Sequence, residues 1–149
     1  GDAGGYRLER SFFMTKETLV ALATEAMTRA YAPYSGYKVG AALLTADGTV
    51  YQGCNIENAS FTPTVCAERT ALFKAVYDGK RDFTAIAVVG GKDGTITGIF
   101  PPCGVCRQAL REFCRDDLQV YLGGTDGQIQ CLTLKELLPY SFSAAEYMS

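Results

Sequence analysis

Leu19, Leu22, Ala23, Ala26, Met27 and Ala30 recur at three- and four-residue steps, the spacing that lines apolar side chains along one helical face. The pattern predicts an amphipathic helix from Thr15 to Tyr31. Pro33 and Gly36 in "APYSG" then stop it, since both disfavour continuation. Two strands are expected next, Tyr37 to Leu44 and Val50 to Ile56, because the Asp-Gly of "TADGT" between apolar runs is a hairpin signal. Val65 to Tyr77 reads as a second helix closed by Gly79. "FTAIAVVG" is nearly all apolar, as in a strand covered on both faces. Pro101-Pro102 introduces a third helix, Cys103 to Cys114, because proline suits a helix start where an N–H would lack a partner. "LQVYLGG" and "QIQCLTL" are two further strands. The gap between them is too short for a crossover helix, so they should pair antiparallel. A short helix near Leu134 to Leu138 ends the series.

The order α-β-β-α-β-α-β-β predicts an α/β fold, a three-layer sandwich around a mixed five-stranded sheet. No repeat, low-complexity tract or linker divides the 149 residues, a length that encloses a real core. Residues 15–149 are expected to form a single domain, with residues 1–14 as a flexible arm. A net charge of -2 and a pI of about 5.1 argue against a polynucleotide partner, whose phosphates call for a basic face. No run approaches the ~20 apolar residues that span a bilayer, and "GDAGGYRLERSFF" lacks a signal peptide's apolar core. The expectation is a cytoplasmic protein. In that reducing compartment its six cysteines are thiols or metal ligands more often than disulfides.

Cys103 and Cys106 form a C-x2-C pair at the start of the third helix, and residues three apart share a helical face. Redox chemistry uses such a pair as well as metal binding. Cys66 occupies the matching place on the second helix. Helix starts carry partial positive charge and free N–H groups, so both favour thiolates. If the two tips converge, three soft donors meet, and zinc is the metal that suits them. Three protein ligands leave a tetrahedral position open, as in catalytic zinc. A fourth cysteine (Cys54, Cys114 or Cys131) would instead close the site, although these three read better as small buried residues. Glu68 stands where a carboxylate can accept a proton from water on the metal and pass it on. With no histidine in the chain, sulfur binds and Glu68 moves protons.

"CAE", followed after 36 residues by "PCGVC", resembles the all-cysteine form of the zinc deaminase signature. "YAPYSGYKVGAALL", "GCNIENASF", "CAERTAL", "PPCGVCRQALREF" and "LLPYSF" are similar, in order, to segments of the homotetrameric cytidine deaminases, so the likeness runs from about Thr15 to Phe142. The resemblance implies a deaminase fold with one zinc per subunit, held by Cys66, Cys103 and Cys106. It implies attack of metal-activated water at C4 of cytidine or deoxycytidine. Glu68 protonates N3 and then the departing amino group, giving uridine or deoxyuridine and ammonia, a reaction of pyrimidine salvage. Asn55 and Glu57 would hold the ribose 3′-hydroxyl, the Ala67 backbone the pyrimidine, and Phe142 the base bound by a neighbouring subunit. Arg69 would donate to the sulfurs and offset their charge. Arg107, just past Cys106, is compatible with a similar role or with a solvated position. Tyr37 departs from the family, which often has Phe in that wall, so its hydroxyl needs a partner or water. Two other readings are deamination of another aminopyrimidine nucleoside or of cytosine in nucleic acid, and a non-catalytic zinc-stabilised module.

Overall fold

The computed structural model describes residues 14–145 and, by its backbone, the strand at residues 5–7. Its elements are β1 (Gly5–Arg7), α1 (Lys16–Met27), β2 (Tyr37–Thr45), β3 (Thr49–Cys54), α2 (Ala67–Tyr77), β4 (Phe83–Lys92), α3 (Gly104–Phe113), β5 (Gln119–Gly123), β6 (Ile129–Thr133) and α4 (Leu134–Leu137). The five expected strands form one mixed sheet flanked by helices. β1 adds a sixth strand at its edge, giving the order β1-β3-β2-β4-β5-β6. β1 falls within the stretch expected to be a loose arm: Gly5, Tyr6 and Arg7 pair with Tyr51, Val50 and Thr49. The rest of that arm, apart from Met14, lies outside the described residues.

Among the described strands only β4 and β5 pair parallel, the pair joined through a helix, α3. β5 and β6 pair antiparallel as expected. α1 covers one face of the sheet, packing Leu19, Ala23 and Met27 on Ala42, Val50, Ala87 and Val89. α2 and α3 cover the other, where Ala71, Leu72 and Leu110 meet Ala41, Leu43, Ile86 and Val88. Alternate residues of β2 and β4 thus face opposite layers, and both faces are dry. That is why "FTAIAVVG" carries no polar alternation.

α1 begins as read, with the Thr15 hydroxyl accepting the Thr18 N–H at 3.1 Å. It ends at Met27, four residues earlier than expected. Beyond it Tyr31 leaves the helix: its N–H donates to Asn55 O (3.0 Å), and its carbonyl accepts from Glu57 N (2.9 Å). The pull of β3's continuation outweighs the helical pattern there. Cys131 corrects another reading. It is exposed on β6, an edge strand with one side uncovered, while Cys114 is buried and Cys54 half-buried.

Two glycines set how closely the helices lie. A Cβ on Gly40 would stand 2.0 Å from Ala23 O of α1, and one on Gly53 would stand 2.5 Å from both Ala67 O and Ala71 N of α2. Gly53 therefore lets the first turn of α2 rest on β3 with backbone against backbone. Gly53→Ala should force the helix outward and cost about 1–3 kcal/mol, in the range of core overpacking. Thermal unfolding should show a midpoint several degrees lower. A midpoint within a degree of the parent protein would mean that α2 lifts from the sheet freely.

Candidate zinc centre and active site

β3 and β4 both run antiparallel to β2, so they run the same way and finish at the same end of the sheet. Each leads on to a helix, α2 after β3 and α3 after β4. The starts of both helices are thereby brought together above the carboxyl ends of the strands, the usual ligand-binding edge of an α/β sheet.

Cys66 and Cys103 are the N-cap residues of α2 and α3, with extended backbones (φ -78°, ψ 157° and φ -69°, ψ 168°) and no side-chain capping bond. Both helices had been expected to include these cysteines. The structure sets each one step earlier, where a Ser, Thr or Asp would normally cap the helix. With sulfur there instead, the side chain stays available. Cys106, in the first turn of α3, is fully buried. The three sulfurs lie within 4.8 Å of one another. Cys66 and Cys103 Sγ are 3.8 Å apart, and two sulfurs at ~2.3 Å from one tetrahedral zinc would be separated by about 3.8 Å. The donor set fits zinc. Cys54, Cys114 and Cys131 do not join this group, so the closed four-cysteine arrangement is not what the fold builds.

The Arg69 Nη2 donates to Cys66 Sγ at 3.6 Å. Cys66 is pulled down to about 5, first by the Cys106 thiol donating to it and further by Arg69 and Cys103. Cys106 is correspondingly pushed up, chiefly because it is the donor in that bond. The pairing thus favours a thiolate at Cys66. The Arg69 Nε is buried without a hydrogen-bond partner among the described residues, so the guanidinium is placed by packing as much as by bonding.

Glu68, the second residue of α2, is 3% exposed. Burial above all pushes its carboxyl up to about 7, and the neighbouring Cys66 thiolate adds to the effect. Glu68, Cys66 and Cys103 line one cleft of about 220 Å³. Tyr37, Val39, Val65, Phe100 and Pro101 give it apolar walls, and Ser35, Asn55, Glu57 and Thr64 give it polar ones. The Tyr37 and Phe100 rings stand 6.1 Å apart.

The structure brings Tyr37, Asn55, Glu57, Cys66, Glu68 and Cys103 to this cleft. Ala67 is fully buried at the start of α2 and does not line the cleft. Phe142 does not line it; that ring is 55% exposed, with its backbone carbonyl accepting from Gln108 Nε2 at 2.9 Å. Asn55 already works within the chain: its Oδ1 accepts from Val39 N (2.8 Å) and its Nδ2 donates to Tyr37 O (2.7 Å). Glu57 Oε1 accepts the N–H groups of Tyr34 (2.9 Å) and Ser35 (3.0 Å), and Oε2 accepts the Ser35 hydroxyl. The Ser35 hydroxyl, more than the backbone bonds, holds the Glu57 carboxyl below the usual range. Ser35, Thr64 and Phe100 were missed by the sequence reading. Ser35 left a trace in the turn "YSGY", where a hydroxyl next to a strand start often bonds nearby backbone. Phe100 left none, because it reaches the cleft over Gly90.

An α/β sandwich with three sulfurs at two helix tips and a buried carboxyl beside them is the layout of a zinc enzyme. The model of the cytidine and deoxycytidylate deaminase zinc-binding region matches residues 14–122, and the chain belongs to that family. It is 51% identical over 130 residues to a cytidine deaminase of Sporosarcina psychrophila, covering 87% of this chain and 93% of that protein. Identity is also 51% with a cytidine deaminase of Halalkalibacterium halodurans, over 89% and 98% of the two chains. A 1.6 Å crystal structure of cytidine deaminase from Burkholderia pseudomallei superposes with a TM-score of 0.80 at 47% identity, covering 87% of this chain and all of that one.

A carboxyl whose pKa is raised on folding destabilises the native state once it must ionise. In the metal-free protein, Glu68 favours the fold below the ordinary carboxylate range. That advantage is lost as pH rises from about 4.5 through about 7. Metal-free Glu68→Gln should therefore be about 2–3 kcal/mol more stable than the parent at pH 8 and nearly equal to it at pH 4. Denaturant unfolding of the chelator-treated proteins checks this. A stability difference that does not change with pH would show that the carboxyl is not held up by burial.

Proposed function

We propose that the protein deaminates free cytidine and deoxycytidine hydrolytically, with Cys66, Cys103 and Cys106 holding one zinc ion. The observation that carries this reading is the trio of sulfurs within 4.8 Å of one another, two of which share a cleft with the buried Glu68 carboxyl. When bound there, zinc supplies a Lewis acid that makes water nucleophilic near neutral pH.

Glu68 moves the protons. Its carboxyl titrates near neutrality, where a group can both take a proton and give it back. It delivers a proton first to ring N3 and then to the leaving 4-amino group. The backbone N–H at Ala67, in the first turn of α2, is a donor for the pyrimidine carbonyl. Tyr37, Val39, Val65 and Phe100 exclude water from the ring faces. Asn55 and Glu57 receive the ribose 3′-hydroxyl at the polar side of the cleft. Arg69 keeps a positive charge against the sulfurs and offsets the excess of three thiolates over Zn²⁺.

The lining includes Glu57 and Glu68 and, among the described residues, no Lys or Arg. A phosphate would meet carboxylates there. This favours the nucleoside over its monophosphate and speaks against cytosine within a polynucleotide. The exposed Phe142 and Tyr140 near the C-terminal end support assembly into a homotetramer, with Phe142 reaching a neighbour's cleft. No helix among the described residues is long and apolar enough to cross a membrane. Three thiols kept as metal ligands suit the reducing cytoplasm, and the reaction suits pyrimidine salvage.

Ammonia release should occur with cytidine and deoxycytidine, with kcat/KM at least about tenfold lower for CMP and no turnover of adenosine. Faster turnover of CMP or of a cytosine-containing oligonucleotide would overturn the substrate assignment. Glu68→Gln should keep its zinc and lose about 10²–10⁴-fold in kcat; retained turnover would refute the proton shuttle. Arg69→Ala should move the acid limb of the kcat/KM pH profile upward, and an unchanged profile would remove its charge role. Sedimentation should find four chains, and an active monomer would take Phe142 out of the site.

A further inference from the structure

Of the three sulfurs, Cys106 sits buried within α3, and Cys66 follows Val65, which exchanges two backbone bonds of 3.0 Å with Ile56. Cys103 is different. It is exposed, caps its helix without a side-chain bond, and follows a stretch from Asp93 to Pro102 that is neither helix nor strand. Pro101 and Pro102, just before Cys103, have no N–H to give, so their carbonyls are the backbone handles at that point. Arg107 takes one of them. Its Nε donates to Pro102 O at 2.7 Å, and its Nη1 donates to Leu137 O at 2.7 Å. Leu137 ends α4, where a carbonyl lacks a helical partner and a cation is favoured. α4 is itself fixed by the buried Leu134, by Leu134 N to Leu118 O at 3.0 Å, and by a Thr133–Glu136 capping box.

We propose that Arg107 is a positioning residue for the metal site. Its guanidinium fork ties the carbonyl just before Cys103 to the anchored end of α4, and so aims that sulfur at the other two. Neither a charge role toward the sulfurs nor a solvated position describes it. The two bonds leave from different nitrogens of one rigid plane, a geometry that a lysine ammonium does not reproduce. The inference rests on the reading of Cys103 as a zinc ligand. Arg111, one turn on, provides the contrast: its Nε donates to Ser141 Oγ (2.9 Å) and its Nη1 to Cys114 O (2.8 Å), with no bond to the Pro102 turn.

The test uses the zinc-loaded full chain in competition with a chromophoric chelator, together with the visible absorption of the cobalt-substituted protein. Arg107→Ala and Arg107→Lys should weaken zinc binding by about 10–100-fold, as loss of a partner outside the ligand shell does. Both should also alter the cobalt bands. Arg111→Ala should stay within about twofold of the parent with unchanged bands, whatever its effect on melting. If Arg107→Ala does not fold, Arg107→Lys decides alone. Parent-like affinity and bands in Arg107→Lys would overturn the proposal, as would an equal loss of zinc in Arg111→Ala. A parent protein that binds no zinc would overturn the zinc reading as well, which separates the two failures.

Discussion

The placement of β2 between β3 and β4, antiparallel to both, is the constraint on which the chemistry depends. It makes the two outer strands of that trio point the same way, so the helices that follow them start side by side. Had either neighbour run the other way, Cys66 and the Cys103–Cys106 pair would lie at opposite ends of the sheet. The hairpin between β2 and β3, read from "TADGT", is thus also a statement about where the three sulfurs meet. Gly53 refines the result by letting α2 sit low enough for its cap to reach the same level as that of α3.

Two helix starts facing one point give the sulfurs a favourable field before any ion is considered. Cysteine at a cap position forgoes the hydrogen bond that a hydroxyl would make, and the local fold loses some stability in exchange for a free ligand atom. The same crowding that gathers the sulfurs buries Glu68, and burial is what brings its carboxyl into the range where it exchanges protons at neutral pH. Ligand geometry and proton transfer therefore share one origin in the packing of α2 and α3 on the sheet.

Much of this was legible in the chain. Apolar runs and turn chemistry located the five strands of the main sheet, and the cysteine spacing picked out the three sulfurs that the fold gathers. What stayed hidden was long-range. Tyr31 ends α1 because a backbone partner 24 residues on draws it away, and no local pattern records that bond. β1 went unread because a three-residue edge strand has too short a pattern to register. Ser35, Thr64 and Phe100 enter the cleft through loop geometry. Arg107 looked ambiguous in sequence because its partners, Pro102 and Leu137, are brought together only by tertiary folding. Chemistry was written in residue types and spacing, whereas positioning was written in contacts.

Asn55 has a consequence for how such a protein can change. Its amide clasps both Tyr37 and Val39 while the residue also lines the cleft, so the opening of β2 and the polar wall of the cleft share a single side chain. Altering it to reshape the cleft would loosen the opening of β2 at the same moment. Glu57 and Ser35 bear a similar load at the surface, since Glu57 accepts the Tyr34 and Ser35 N–H groups and Ser35 Oγ accepts the Tyr37 N–H at 3.0 Å. Any change along this polar wall, whether by design or by drift, must therefore rebuild the chain that opens β2 along with the cleft.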